Sequence, residues 1–204
     1  MGVQERKDRN KQKLRDLILH TAAELFVAQG FEKTSIRNIA DAIEYSPGTI
    51  YLHFKDKNEL FLAISKEGFK LFYQYFQGVM DQPTPIERLL ALGHVYIRFA
   101  MENPGYYDLM FIMKAPMETE TTKDKWHEGE NSYDFLLRLV SDCQQQGYFK
   151  GKDLETTTYW IWSTVHGLVS LKIRQRLKMY SKDRREKMVT DALELFNSIL
   201  LTQN

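Results

Sequence analysis

The segment SPGTIYLHFKDK, residues 46–57, contains two helix-start signals within twelve residues. Ser46 is a favourable N-cap, and Pro47 suits the first helical position, where the missing N–H costs nothing. Asp56 and Glu59 form a second capping pair directly before the apolar residues 60–62. The segment therefore predicts a helix of roughly two turns followed by the start of another. Its hydroxyl, imidazole and apolar side chains suit phosphates and base edges, so DNA is the first partner to consider.

The residues upstream complete a helix-turn-helix. Thr34 is the expected cap of a helix in which Ile36, Ile39, Ala40 and Ile43 lie on one face. A turn at residues 44–46 joins that helix to the short one, which matches a motif whose second helix enters the major groove. An amphipathic helix before it is expected to end at Gly30 and to support the pair.

Residues 22–61 resemble the DNA-binding domain of the TetR family of bacterial transcriptional regulators. The shared signals are several and occur in the same order: Ala22, Leu25-Phe26, Gly30-Phe31, Thr34, Ile39-Ala40, Gly48-Thr49, Tyr51, Phe54 and Lys57. One residue departs from the family pattern, because Glu44 stands where members usually carry glycine. If Glu44 has a positive φ, the side chain costs roughly 1 kcal/mol.

The resemblance implies a role in DNA binding for ten residues. Three align with family positions that commonly touch phosphates, and these are Tyr51, His53 and Lys57. Others align with positions that reach base edges: Arg37, Gly48, Thr49 and Leu52. Thr34, Ser46 and Pro47 complete the predicted surface. For Leu52, contact with a thymine methyl group and packing inside the protein are equally open alternatives.

The charge distribution supports DNA binding only locally, because the net charge of the whole chain is +1. The basic leader, residues 6–15, suits either an arm lying in a DNA groove or a solvated disordered tail. A second basic cluster occupies residues 172–187, and we interpret it as a solvated connection between helices rather than a second DNA site.

Length and composition predict an all-α protein with two domains. Its 204 residues, 43% of them hydrophobic, allow a helix-turn-helix domain at 1–57 and a larger helical effector-binding and dimerisation domain at 58–204. The sequence has no apolar run of the ~20 residues that a membrane span needs, and no signal peptide, so a cytoplasmic location is expected. Cys143 is the only cysteine, which excludes an internal disulfide and fits a reducing compartment.

Helical periodicity and turn residues divide the second domain. Helices are predicted at 56–80, 85–102 and 132–146, then at 153–179 and 182–201, with a short one ending at Met113. The polar segment 117–130, which contains Trp126, is expected to form a surface loop or a lid.

The last two helices carry the predicted dimer surface. In the resembling family, paired C-terminal helices from two subunits form a four-helix interface, and burial inside one chain is the alternative for part of this face. The predicted interface residues are Val165, Leu168, Val169, Met188, Ala192, Leu195, Phe196 and Ile199.

An effector pocket is predicted in the same domain. The sequence WSTVHG, residues 162–167, resembles a tryptophan, histidine, glycine signature of one subgroup of these regulators. The candidate lining residues are Tyr107, Met110, Phe111, Met113, Trp126, Trp162 and His166. Plain core packing is the alternative for all of them. A pocket with these walls favours an apolar or aromatic small molecule with one polar group.

The resemblance and the motif together predict a ligand-responsive transcriptional regulator, most simply a repressor. It binds a palindromic operator on double-stranded DNA as a homodimer, and an effector releases it by moving helix 56–80 as a lever. The rival classes are an architectural helix-turn-helix protein without an effector and an all-helical enzyme. No catalytic constellation, metal-ligand spacing or cofactor motif is evident, so no enzyme activity, metal or cofactor is expected.

Overall fold

The computed structural model describes residues 2–114 and 127–202, and all regular structure within those ranges is helical. The helices are α1 Val3–Gln29, α2 Ile36–Ala42, α3 Pro47–Tyr51, α4 Lys57–Tyr75, α5 Pro85–Glu102, α6 Pro104–Tyr107, α7 His127–Gln145, α8 Leu154–Ile173 and α9 Lys182–Leu201. This confirms the all-α prediction. Trp126 and residues 117–126 of the predicted loop or lid lie outside the described residues. Among the described helices, none is long and apolar enough to cross a bilayer.

Two compact units divide the chain, and the division falls inside α4. Unit 1 contains Met1–Lys70 and the described part of Gly105–Trp126. Unit 2 contains Leu71–Pro104 and the described part of His127–Asn204. The functional boundary at residues 57 and 58 stays a prediction.

In unit 1, buried apolar residues pack the helix-turn-helix, which consists of α2 and α3, against helix α1. Ile18, Phe26, Ile39 and Ile50 from the first three helices are completely buried in one cluster. The rings of Phe26, Phe31 and Phe61 also meet in the unit, with centroids 5.2–5.8 Å apart. Burying each such side chain contributes about 1.5–3 kcal/mol, so packing rather than propensity maintains the short helices α2 and α3.

Unit 1 also includes a segment from much later in the chain. Residues Asp108–Ile112 form a π-helical turn that packs against α1, and Leu109 belongs to the same buried cluster. Gly68 of α4 leaves room for this segment, because a Cβ there would lie 2.5 Å from the Met110 sulfur. The predicted short helix ending at Met113 is therefore confirmed, with a π-helical second half.

The cap of α2 differs from the prediction. Ser35, not Thr34, is the N-cap, and its hydroxyl accepts from the Asn38 N–H at 3.1 Å. Thr34 is 1% exposed, and its hydroxyl donates to the Gly30 carbonyl at 2.9 Å. Either threonine or serine can cap a helix, so the sequence alone did not show which of the two neighbours takes the position.

The turn between α2 and α3 forces Glu44 into the left-handed region, with φ of 59°. The Glu44 N–H donates to the Asp41 carbonyl at 3.2 Å, and the Tyr45 N–H donates to the Ala40 carbonyl at 3.0 Å. These two hydrogen bonds form a Schellman motif, in which glycine normally occupies the position of Glu44. The strain considered from the sequence is therefore present.

Replacing Glu44 by glycine is expected to raise the free energy of unfolding by about 1 kcal/mol, because glycine adopts this φ without a Cβ penalty. Urea unfolding at a fixed protein concentration measures the change. Glu44→Ala is the matched control, since it removes the same charge but keeps the Cβ. Equal stabilisation by both variants would assign the effect to charge and contradict the argument from φ.

Unit 2 is built from α5, α7, α8 and α9, which pack on one another. The predicted helices 85–102 and 182–201 are confirmed. The Thr84 hydroxyl caps the first of them, and the Ser181 hydroxyl caps the second. Cys143 is buried, and burial followed by the nearby Asp142 charge raises the pKa of its thiol to about 12. The thiol is thus protonated at neutral pH, which does not favour redox sensing.

Three predicted boundaries in the C-terminal part were wrong. Helix α4 ends at Tyr75 rather than Met80, and turn hydrogen bonds continue after it as far as Gln82, past Gly78, whose φ is 84°. Helix α8 ends at Ile173 rather than Met179, because Gln175 adopts a φ of 53°. Helix α7 begins at His127, so residues 127–130 are helical and not part of a loop.

Candidate nucleic-acid interface

The short helix α3 is oriented by two apolar residues. Ile50 within it and Phe54 just after it are buried in the core of unit 1. The opposite side is exposed, with Tyr51 at 55% and Leu52 at 79%. This orientation leaves Tyr51 and Leu52, two of the residues predicted to contact DNA, on the surface of the protein.

The start of α3 is fixed as the sequence predicted. The Ser46 hydroxyl accepts from the Thr49 N–H at 3.2 Å and lies 3.0 Å from the Thr49 hydroxyl. Pro47 occupies the first turn. The two hydroxyls thus lie together at the N-terminal end of the helix, where recognition helices usually meet the groove.

Gly48 and Leu52 have surfaces that no residue of the described ranges 2–114 and 127–202 covers. A Cβ at Gly48 would meet only the Ser46 hydroxyl, at an ordinary 3.5 Å, so packing does not require glycine there. Close approach of another molecule gives a reason for it. The high exposure of Leu52 shows that the packing alternative was wrong and leaves contact with a thymine methyl group as its predicted role.

His53 lies in a positively charged environment. Partial burial, then the charges of Lys11 and Arg15 of α1, lower the pKa of His53 below its usual value. The Arg15 guanidinium lies 5.1 Å from the Phe54 ring centroid and 3.7 Å from a Glu67 carboxylate oxygen. The basic residues of α1 therefore extend the cationic surface beside α3.

The leader forms neither an extended arm nor a disordered tail. Its described residues are the first turns of α1, which begins at Val3. The side chains of residues 4–13 are exposed, so their positive charge is available to solvent or to a polyanion.

Two predicted contact residues have interactions inside unit 1. The Lys57 ammonium donates to the Phe31 carbonyl at 2.8 Å and lies 4.1 Å from the Phe31 ring centroid. Thr34 is buried, as described above, and offers no exposed hydroxyl. Arg37 of α2 is exposed on the surface of the same unit.

Three further exposed residues near α3 were not among the predicted contact residues: Tyr45, Lys55 and Lys11. Tyr45 is 46% exposed in the turn before α3, and Lys55 is exposed between α3 and α4. The signal that could have found both is their position at the two ends of the recognition helix. Lys11 was noticed only as part of the leader, because its proximity to His53 depends on the fold.

The predicted pocket residues are divided between the two units. Tyr107, Met110, Phe111 and Met113 belong to unit 1, where Met113 packs against the buried cluster. Trp162 and His166 belong to unit 2, with ring centroids 6.0 Å apart. Trp126 lies outside the described residues.

Within unit 2, His166 forms a polar pair that the sequence did not predict. The Tyr96 hydroxyl lies 2.9 Å from His166 Nδ1, and the Tyr133 ring meets Trp162 edge-on at 6.3 Å. Burial lowers the pKa of His166, so its ring is neutral at pH 7. A tyrosine hydroxyl and a neutral imidazole among aromatic rings can both donate and accept a hydrogen bond.

The predicted dimer residues fall into three groups by burial. Val165, Val169 and Phe196 are in the interior of unit 2, so they do not form a free surface. Leu168, Met188 and Ala192 are half-buried, whereas Leu195 and Ile199 are 64% and 43% exposed. Trp160 and Leu171 of α8 are also exposed, at 41% and 48%, because α8 is apolar on both its inner and its outer side.

Comparison with known proteins gives matches along most of the chain. Residues 18–64 match the family model of bacterial regulatory proteins of the tetR family, and residues 89–196 match a tetracyclin repressor-like C-terminal domain. The transcriptional regulator QacR of Staphylococcus aureus is 27% identical over 83% of this chain and 93% of its own. UidR of Escherichia coli K12 is 31% identical over 67% of this chain and 69% of its own.

A solved structure shows the same fold. AibR, crystallised with isovaleryl coenzyme A and operator DNA, has a TM-score of 0.70 and 24% identity. The alignment covers 89% of this chain and 96% of AibR.

Proposed function

This chain belongs to the TetR family of bacterial transcriptional regulators, and on that premise we propose that it is a ligand-responsive repressor. It binds a palindromic operator as a homodimer, and a small molecule held by the C-terminal domain releases it. The observation that carries the proposal is the exposed face of α3, where Tyr51, Leu52 and His53 surround a helix anchored by buried Ile50.

The proposed DNA contacts of α2, α3 and the residues next to them are of two chemical kinds. Tyr51 and His53, beside the basic residues of α1, bind phosphates, while Arg37, Gly48, Thr49 and Leu52 reach base edges. Ser46 and Pro47 fix the start of the helix and direct its N–H groups outwards. Lys57 reaches a phosphate by exchanging its hydrogen bond to the Phe31 carbonyl, whereas Thr34 acts only through the structure.

The dimer forms through the outer faces of α8 and α9. Exposed Trp160, Leu171, Leu195 and Ile199 supply the apolar contact, with half-buried Leu168, Met188 and Ala192 beside them. Gly167 supports this assignment, because a Cβ there would meet no atom of the described residues within 4 Å and a second helix can approach closely. A two-fold axis then makes the same face of both subunits self-complementary and presents two reading heads to one operator.

The effector binds beside the Tyr96–His166 pair of unit 2. Trp162 and Tyr133 provide aromatic contact, and the neutral imidazole with its tyrosine hydroxyl recognises one polar group. An apolar or aromatic body with a hydrogen-bonding group fits this chemistry. Acyl thioesters of coenzyme A belong in the first set of compounds tested, since AibR, which shares the fold, was crystallised with one.

Regulation requires only modest coupling between effector and operator. Lowering operator affinity by a factor of 100 takes about 2.7 kcal/mol, which is within the usual range for allostery. Helix α4, which contributes residues to both units, is the element through which we propose that this coupling passes.

The proposal is tested by a thermal-shift screen followed by operator release. A true effector raises the melting temperature and lowers affinity for an operator selected from random duplexes with the wild-type protein. Tyr96→Phe is expected to weaken that effector up to about tenfold through loss of one hydrogen bond, with operator affinity unchanged. Tyr159→Phe, at an exposed tyrosine of α8, is the matched control.

Two results would contradict this part of the proposal. Equal effects of Tyr96→Phe and Tyr159→Phe on effector affinity would show that the Tyr96–His166 pair is not part of the effector site. Duplex selection that yields no preferred sequence would favour the architectural alternative, because a regulator discriminates its operator from random DNA by about 10³ or more.

A further inference from the structure

The connection between α8 and α9 contains a depression of about 530 Å³. It is lined by Ile173, Arg174, Gln175, Arg176 and Lys178. Three of these five side chains are cationic and none is acidic. A volume of this size is within the range of small-molecule sites, although the depression lies in a polar surface rather than in an apolar interior.

The charge around the depression is one-sided. Residues 171–182 include Lys172, Arg174, Arg176, Lys178 and Lys182 but no aspartate or glutamate. The whole chain has a net charge of only +1, so this concentration is a local feature. Cations held this close together repel one another unless an anion binds between them.

Two hydrogen bonds hold the backbone of the turn that carries these cations. The Gln175 N–H donates to the Lys172 carbonyl at 3.0 Å, and the Arg176 N–H donates to the Leu171 carbonyl at 2.9 Å. Gln175 has a φ of 53°, a conformation that glycine would adopt at lower cost. The chain therefore turns sharply after α8 and places Arg174 and Arg176 on either side of the turn.

Some neighbouring cations have partners, whereas two cations of the depression have none. The Lys172 ammonium donates to the Arg185 carbonyl at 2.7 Å, and Arg184 pairs with Asp191. Within residues 2–114 and 127–202, no hydrogen bond or ion pair involves the side chain of Arg176 or Lys178. These two exposed groups are available to an external anion.

We propose that this depression binds a small molecule carrying two or more phosphate groups. Guanidinium groups bind phosphate oxygens in pairs of parallel hydrogen bonds, and an ammonium adds a point charge. A depression suits a small anion better than it suits duplex DNA, which is a convex cylinder, or a membrane, which is nearly flat. The site lies in unit 2 and shares no residue with the reading surface around α3.

Isothermal titration calorimetry with inorganic tripolyphosphate tests the proposal on the full chain. Ionic strength is held constant with sodium chloride. The wild type is expected to bind one tripolyphosphate per chain, and Arg174→Gln with Arg176→Gln is expected to weaken this binding at least tenfold. The charge-matched control is Lys150→Gln with Lys152→Gln, at exposed lysines of unit 2 that lie outside the depression and outside residues 171–182, and its affinity is expected to stay within about twofold.

The alternatives give different results. Equal weakening by the two double variants would show general charge attraction and overturn the proposal, as would the absence of binding to the wild type. Loss of operator affinity in Arg174→Gln with Arg176→Gln would assign the cluster to DNA instead. Binding to vesicles of acidic phospholipid without binding to tripolyphosphate would assign it to a membrane surface. Circular dichroism confirms that each variant is folded.

Discussion

Replacing Tyr51 and His53 together by alanine is expected to weaken operator binding by a factor of about 10² to 10⁴ for each half-site. Each residue is assigned one hydrogen bond to a phosphate, and a hydrogen bond to a charged group contributes about 1.5–3 kcal/mol. Neither side chain supports the core of unit 1, because Ile50 and Phe54 occupy the buried positions on either side. The variant should therefore stay folded and dimeric, and gel retardation with the selected operator measures the loss.

The matched control for this experiment is His94→Ala with Tyr159→Ala. It removes one histidine and one tyrosine from exposed positions of α5 and α8, outside unit 1. Operator affinity of the control is expected to equal that of the wild type. An unchanged affinity of the Tyr51 and His53 variant, with its dimer intact, would show that the reading surface is elsewhere.

Replacing Leu195 by glutamate is expected to convert the dimer into a monomer and to lower operator affinity at least about 10³-fold. Leu195 is 64% exposed in the single chain, so the charge does not disturb the fold of one subunit. At the proposed interface the carboxylate is buried without a partner, once in each half, and an unpaired buried charge costs several kcal/mol. Analytical ultracentrifugation measures the association state.

Met80→Glu is the control for the dimer experiment. Met80 is a comparably exposed apolar residue of unit 2, in the turn region after α4 rather than on α8 or α9. The control variant is expected to remain dimeric. If Leu195→Glu also remains dimeric at the concentrations of the binding assay, the interface involves another face.

The starts of α3, α4 and α5 were predicted well from the sequence, whereas the ends of α4 and α8 were not. Ser46, Asp56 and Thr84 cap their helices through hydrogen bonds that depend on nearby residues only, so the sequence records them. The end of α8 depends on Gln175, a residue with no intrinsic preference for positive φ. A glycine such as Gly147, which has a φ of 95° after α7, signals a helix end in the sequence, whereas Gln175 gives no such signal.

The direction in which each side chain faces was the main thing that the sequence could not predict at the candidate sites. The spacing of Val165 and Leu195 marks both as apolar helix positions, but only packing shows that the first faces the interior and the second faces solvent. Leu109 and Met113 illustrate a second limit, because they were grouped with the C-terminal domain by sequence position and pack in unit 1. Contacts between residues far apart in the chain leave no local pattern.

The late segment of unit 1 also constrains how the protein is made. The core around Phe26 and Ile64 includes Leu109, so unit 1 lacks a buried side chain until that residue has left the ribosome. At about 5–20 residues per second, the interval between synthesis of Ile64 and of Leu109 lasts several seconds. During that time the apolar surface that Leu109 later covers is exposed and can bind chaperones or other nascent chains. A truncated fragment that ends near residue 70 would have the same exposed surface permanently.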